Sequence, residues 1–231
     1  MKALVISATS VVLLAVGPAI AADFPLKART APEAVYTWTG FYLGIQSGYL
    51  WGDAKHTFDN GAPSDTSNLK GFVSGLHAGY NVQSGSFVFG VEVDAEGSTA
   101  KGDFQNITGI TSEGSADLVV QGSVRGRLGF TTGPALLYVT GGWAYGQFRF
   151  RGGPFDPKHD PCCGFSDNMS GWTAGGGLQY AISNSVSARV EYRYTDYGST
   201  SGGLPPTFPG VTMGADVTTH AIRSGFSVKL N

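Results

Sequence analysis

The stretch Phe87-Val88-Phe89-Gly90-Val91-Glu92-Val93-Asp94-Ala95-Glu96 alternates between two kinds of residue. Phe87, Phe89, Val91, Val93 and Ala95 fall on one face, and Glu92, Asp94 and Glu96 on the other. A period of two is the side-chain period of a β-strand. A helix would scatter the same residues around its circumference. One face suits an apolar medium, and the other carries three carboxylates.

Seven more segments share this pattern. Residues 40–51 set Phe41, Leu43, Ile45, Tyr49 and Trp51 against Tyr42, Gly44, Gln46 and Gly48. Residues 70–82 set Phe72, Leu76, Ala78, Tyr80 and Val82 against His77 and Asn81. In 117–130, Leu118, Val120, Val124, Leu128 and Phe130 oppose Gln121, Arg125 and Arg127. Leu137, Val139, Trp143 and Tyr145 are in phase in 135–148, as are Trp172, Leu178, Tyr180 and Ile182 in 168–182. In 185–197, Val186, Val190, Tyr192 and Tyr194 oppose Arg189, Glu191 and Arg193. In 217–230, Ile222, Phe226, Val228 and Leu230 oppose Arg223, Ser227 and Lys229.

A soluble sandwich also alternates, with its charges outward. The links between segments decide the matter. Gln83-Ser84-Gly85, Thr131-Thr132-Gly133-Pro134 and Ser183-Asn184 are tight hairpin connections, whereas 52–69, 97–116, 150–167 and 198–216 are long and polar. Short and long links alternate strictly, as the periplasmic turns and extracellular loops of outer-membrane barrels do. Each segment reaches the roughly 9–11 residues that a tilted spanning strand needs. The expected fold is therefore all-β: an eight-stranded antiparallel transmembrane β-barrel with four longer extracellular loops. Phe41, Trp51, Phe87, Phe130, Trp143, Trp172 and Tyr194 stand near strand ends, where interfacial girdles form.

The start of the chain agrees with export. Lys2 precedes an uncharged apolar run, and Ala19-Ile20-Ala21 is an A-x-A cleavage signal. The expected layout is a cleaved signal peptide at 1–21, a periplasmic lead-in at 22–38 and the barrel at 39–231. No peptidoglycan-binding domain is expected after the last strand. Composition fits, with 35 Gly, 14 Phe, 10 Tyr and only 14% charged residues. That much glycine disfavours long helices. A net charge of −2 without a basic stripe argues against nucleic acid. The only cysteines, Cys162 and Cys163, are adjacent, so no disulfide framework staples the fold. A vicinal disulfide between them is one possibility, poorly placed for normal bridge geometry.

Trp38-Thr39-Gly40-Phe41-Tyr42-Leu43-Gly44 followed by Gly48-Tyr49 resembles the opening strand of small alphaproteobacterial outer-membrane surface proteins. This is the OmpA-like β-barrel superfamily, in the group of the Brucella and rhizobial major surface antigens. Ala21-Ala22-Asp23 and Val190-Glu191-Tyr192-Arg193-Tyr194 are similar too. The resemblance implies residence in the bacterial cell outer membrane, insertion by the barrel-assembly machinery and a surface role. Members of this group usually carry an aromatic at or next to the C-terminus; here Leu230 and Asn231 stand there, and Phe226 is the nearest aromatic in phase.

The charges opposite the apolar faces are the specific feature. Glu92, Asp94, Glu96, Arg125, Arg127, Arg189, Glu191, Arg193, Arg223 and Lys229 are expected to form an interior network. An arginine facing lipid at the midplane would cost about 2–4 kcal/mol, and an eight-stranded barrel is just wide enough for side chains to fill. The expected outcome is a salt-bridged plug; the alternative is a narrow gated pore lined by the same charges. Nearby arginines argue against catalytic carboxylates. His56 and His159 fall in expected loops, and the resemblance permits a haemin or metal site there, though no metal-ligand spacing supports one. His220 with Ser199 or Ser201 is the pair a lipid-modifying enzyme would use, without a nucleophile motif around it. No catalytic, cofactor or metal residues are assigned. The expected role is a structural surface protein, a monomer in contact with outer-membrane lipid and lipopolysaccharide or host surfaces. The rival is a loop-borne binder of a small or host ligand.

Overall fold

The computed structural model describes residues 36–58, 65–105, 112–154, 163–203 and 212–230. The expected signal peptide at 1–21 and the expected lead-in up to residue 35 lie outside them. The described chain forms β1 (Gly40–Phe58), β2 (Asp65–Ser84), β3 (Phe87–Ser98), β4 (Lys101–Gln105), β5 (Ser112–Thr132), β6 (Ala135–Pro154), β7 (Cys163–Ala181), β8 (Val186–Gly203) and β9 (Thr212–Leu230).

These elements make one closed wall of eight strands, because β3 and β4 are two parts of one crossing. Both pair with β2 and β5. The break falls at Thr99, whose amide donates to the Phe72 carbonyl (2.9 Å) while its Oγ1 accepts from the Phe72 amide (3.0 Å). A threonine hydroxyl there takes the place of a backbone carbonyl in the ladder. Every other strand pairs antiparallel with its sequence neighbour, and β1 pairs with β9 from Phe41↔Leu230 to Phe58↔Met213. Closure matters because lipid offers no hydrogen bonds to an open strand edge. Tight turns join the strands at one end. At Gly133-Pro134 the glycine adopts φ +59°, which a proline following it cannot. Positive φ at the first turn residue gives the twist that flanking strands require.

The outward residues of the lower wall are apolar: Ile45, Leu76, Val93, Val124, Val139, Leu178, Val190 and Phe226 are all exposed. Two aromatic tiers bound this band. Phe41 packs on Tyr80 and Phe87 on Phe130 near the turn end, at centroid distances of 4.5 and 5.7 Å. Tyr49 on Phe72 (5.4 Å), Trp51 stacked on His220 (5.8 Å) and Trp172 on Tyr194 (5.2 Å) mark the other tier.

Two expectations need correction. The links at 52–69, 97–116, 150–167 and 198–216 are largely strand, so the wall continues well past the upper tier. Above that tier the polarity inverts. Asp53, Lys55, Asn68 and Lys70 face outward, while Leu50, Ala54, Leu69, Val73, Ala144, Phe148, Val217 and Ala221 pack inside. The upper barrel thus resembles a soluble protein, with water outside and an apolar core. Loss of the outward apolar stripe made these segments read as loops. Leu118 also points inward rather than outward (1% exposed), because the register shifts between Leu118 and Val120. A bulge of one residue reverses the facing of everything beyond it.

This inversion separates the effect of one substitution at two heights. Val93→Arg on the lipid band is expected to destabilise the barrel by about 2–4 kcal/mol. Asn68→Arg on the upper wall should change stability by no more than about 0.5 kcal/mol. Urea titration of the refolded barrel in lipid measures both, and equal costs would contradict the assigned band.

Candidate functional site

The apolar outer face leaves the polar half of each strand pointing into the barrel. Five arginines, Arg125, Arg127, Arg189, Arg193 and Arg223, meet four carboxylates, Glu92, Asp94, Glu96 and Glu191, and all are buried. Register brings only some of them together: Glu92 lies opposite Arg125 and Glu191 opposite Arg223. Arg125 also reaches Asp94 on the neighbouring strand and Arg193 reaches Glu191 on its own; the other close pairs meet across the lumen, where β3 and β8 stand on opposite walls of the eight-stranded ring.

Arg125 is the centre. Its Nη2 donates to Glu92 Oε1 (2.5 Å) and Asp94 Oδ2 (3.2 Å), and its Nη1 to Glu191 Oε1 (2.9 Å) and Thr140 Oγ1 (2.9 Å). From the far wall, Arg189 reaches Glu92 (2.6 Å), and Arg193 joins Asp94 (3.0 Å) to Glu191 (2.9 Å). Arg223 holds Glu96 in a two-bond fork through Nε (2.8 Å) and Nη2 (2.9 Å). It therefore bonds across the barrel rather than to its register neighbour Glu191. Arg127 is held differently. Its nearest carboxylate oxygen is 3.9 Å away on Glu92, while its guanidinium lies 3.7 Å from the Tyr138 ring centroid and donates to Gln179 Oε1 (2.5 Å). Cation–π contact there supplies part of what an anion would.

Uncharged side chains complete the carboxylates. Tyr42 OH donates to Glu92 (2.8 Å), Tyr138 OH to Glu191 (3.1 Å), and Gln46 and Gln121 to Glu96 (2.6 and 2.7 Å). Ser123 donates to Asp94 (2.5 Å), and Arg189 also bonds Gln46. The Tyr42 ring fits only because Gly79 faces it: a Cβ there would come within 2.4 Å of the Tyr42 hydroxyl. Gln179, Tyr138, Ser123 and Thr140 were not singled out from the sequence. For Ser123, Thr140 and Gln179 the signal was parity, because each lies in phase with the charges on its own strand or directly opposite one; Tyr138 lies opposite Gly129 and Gly177 and carried no such signal.

Lys229 does not join the network, and this corrects the expectation. It lies at the turn-end mouth, one residue before the end of β9, where Nζ donates to the Thr37 carbonyl (2.9 Å) and stands 5.0 Å from the Tyr36 ring. There it ties down the segment that precedes β1. Trp38 from that segment is buried in the same mouth (3% exposed), with Nε1 donating to Thr131 Oγ1 (2.9 Å) and its amide to Gln83 Oε1 (2.8 Å). Trp38, Val88, Leu136, Tyr138 and Ala181 form an apolar layer below the ions. Burial beside them raises the Tyr36 phenol above its ordinary pKa. Above the ions, the Tyr197 hydroxyl donates to Gln121 (2.8 Å) and its ring packs on Phe148 (5.1 Å), opening the upper apolar core.

The histidines fall elsewhere than expected. His56 is not in a loop but buried inside the upper wall, sharing a 2.8 Å hydrogen bond with Ser67. His77 is buried beside the network and shares one with Ser227 (2.8 Å). His220 faces outward, bonded to Tyr192 (2.7 Å) and in register with Tyr194, whereas Ser199 lies opposite Asp216 and Ser201 opposite Gly214. No Ser–His pair forms on that strand face. His159 and Cys162 lie outside the described residues, and of Cys163 only the strand backbone is described, so the expected vicinal disulfide lies outside them too. Among the described residues no three His, Cys, Asp or Glu side chains are grouped to hold a metal ion.

A closed antiparallel barrel, apolar outside between two aromatic tiers and ion-filled within, defines an integral outer-membrane barrel protein. The outer membrane protein beta-barrel domain family matches residues 9–229. The 31 kDa outer-membrane immunogenic protein of Brucella melitensis is 34% identical over 229 residues, covering 91% of this chain and 93% of its own. The 22 kDa outer membrane protein of Rhizobium leguminosarum is 35% identical over 176 residues, with 74% and 71% covered. Among solved structures, OprG of Pseudomonas aeruginosa has the same fold (TM-score 0.54, 14% identity, 84% of this chain and 97% of that one). This chain belongs to the outer membrane protein beta-barrel domain family and is an outer-membrane surface protein.

The network also ranks two basic residues of the interior face. Arg125→Met, which removes one of the arginine partners of each of three buried carboxylates, is expected to cost about 3–5 kcal/mol. Lys229→Met at the mouth should cost no more than about 1 kcal/mol. Equilibrium unfolding of both variants in lipid vesicles checks the order, and comparable losses would remove Arg125 from the centre.

Proposed function

We propose that this protein is a structural anchor of the outer membrane, contributing to envelope integrity and contacting lipopolysaccharide or host surfaces with its upper wall. The observation that carries this is the fully buried ion cluster, closed by an apolar layer on each side. Charges that line a water-filled pore stay accessible to solvent, whereas the side chains of Arg125, Glu92 and Asp94 are 0% exposed. The filled interior favours a plug over a conduit. The extended upper wall, polar outside, supplies a large surface beyond the membrane. The names of the relatives, which are outer-membrane immunogenic proteins, suit a chain that is accessible at the cell surface.

Continuous pairing of β1 with β9 leaves no free edge for a partner strand, which supports a monomer. Insertion by the barrel-assembly machinery belongs to the same proposal.

Two measurements test it. A strain lacking the gene is expected to become sensitive to a large antibiotic and to detergent, with resistance restored by the intact gene. Unchanged permeability would count against the envelope role. In planar bilayers the purified barrel should show no steady unitary conductance, and a stable ohmic channel would overturn the plug.

A further inference from the structure

Lys70 and Lys101 stand directly opposite each other at the one register pair that joins β2 to β4. Both are exposed on the outer wall. Like charges facing each other on a ladder are destabilising, and neighbouring opposite charge normally relieves them. Here the one carboxylate in register is Asp117, opposite Lys101 and shared with Arg149 on its other side, and Lys70 has none in register. The same row continues from Lys101 to Asp117 and Arg149, so three of its four positions are cationic. Lys55, also on the outer wall, stands two outward positions beyond Trp51 on β1, further from the lipid band, and is in register with Thr66 and Asp216.

Depth gives the pair its meaning. On its other side Lys70 is in register with Trp51, a member of the upper aromatic tier, and the next outward residue of β2 is Phe72. Strand tilt lifts Lys101 a little higher than Lys70. The two ammonium groups therefore stand just above the lipid band, where the phosphates of outer-leaflet headgroups lie. Beneath them the wall is apolar, through Phe72 and Leu76 on β2 and Val93 on β3. One molecule offering phosphates above acyl chains satisfies both features. A soluble anion would gain nothing from the wall below.

We propose that Lys70 and Lys101 form a phosphate-binding site for the phosphorylated glycolipid of the outer leaflet, whose acyl chains lie along Phe72, Leu76 and Val93. This rests on the lipopolysaccharide contact proposed above and assigns it to one place on the wall. The phosphate removes the repulsion between the lysines, so the lipid completes the surface.

The test incubates the purified, folded barrel with diphosphoryl lipid A, with phosphatidylglycerol, or with lipid A plus millimolar inorganic phosphate. Retained lipid is counted by native mass spectrometry. The wild-type barrel is expected to retain lipid A in preference to phosphatidylglycerol and to keep it in phosphate. The double variant Lys70→Gln/Lys101→Gln should bind lipid A about tenfold more weakly, the loss of a charge-assisted contact. Lys55→Gln should bind as the wild type does. Heat-modifiable gel mobility confirms that each variant is folded. Equal lipid A retention by the double variant would overturn this site while leaving the broader lipopolysaccharide contact standing. A wild-type barrel that retains no lipid A would overturn both. Equal retention of phosphatidylglycerol, or displacement by phosphate, would make the pair a general anion site and overturn the glycolipid assignment.

Discussion

The contact of Arg125 with Glu92, Asp94 and Glu191 is the point on which the rest of this barrel depends. Lipid outside forces every polar side chain of the lower wall inward. The lumen of eight strands is too narrow to hydrate ten or so such groups separately. Charges there are tolerated only when each is paired and hydrogen-bonded. Arg125 joins three carboxylates from two opposite walls, and Arg189, Arg193 and Arg223 repeat the crossing on either side of it. The network therefore braces the barrel across its diameter as well as filling it. Tyr42, Gln46, Gln121 and Tyr138 satisfy lone pairs that the arginines leave over.

Placing the ions at mid-height divides the molecule. Below them residues 36–39 turn in under the wall, and Trp38 fills the mouth that the strands leave. Lys229, next to the end of β9, binds the same segment, so both ends of the barrel sequence are fastened at one rim. Above them the wall leaves the membrane, and its polarity reverses. Leu50, Leu69, Phe148 and Val217 inside, with Asp53, Lys55 and Asn68 outside, obey the ordinary rule for a protein in water. One continuous strand thus serves two solvents, and the upper aromatic tier marks the boundary between them.

That boundary frames the functional proposals. A barrel whose centre is filled by a buried ion network leaves the lipid band, the headgroup level and the upper wall as its exposed surfaces. The family relationship and the match to surface antigens agree with outward-facing work. The wall from Trp51 upward is also where the lysine pair meets the depth of lipid phosphates.

Much of this was legible in the residues. Alternation set Glu92, Asp94 and Glu96 against Phe89, Val91 and Val93, and alternating link lengths gave the strand count and the sidedness, because both are local properties of the chain. Lys229 carried the right parity but the wrong height, since parity says which face a residue takes and nothing about where along the barrel it ends. The segments beyond Trp51 read as loops because the outward apolar stripe stops there; only the folded wall, with His56 and Leu69 buried inside it, reveals strand with its polarity reversed. The bulge before Val120 turned Leu118 inward without a sequence signal. Above all, sequence alone determined that these charges must face inward, because that follows from each strand's own pattern in lipid. Which arginine binds which carboxylate was decided by closure of the ring, which sets β3 against β8 and lets partners about a hundred residues apart meet across the lumen.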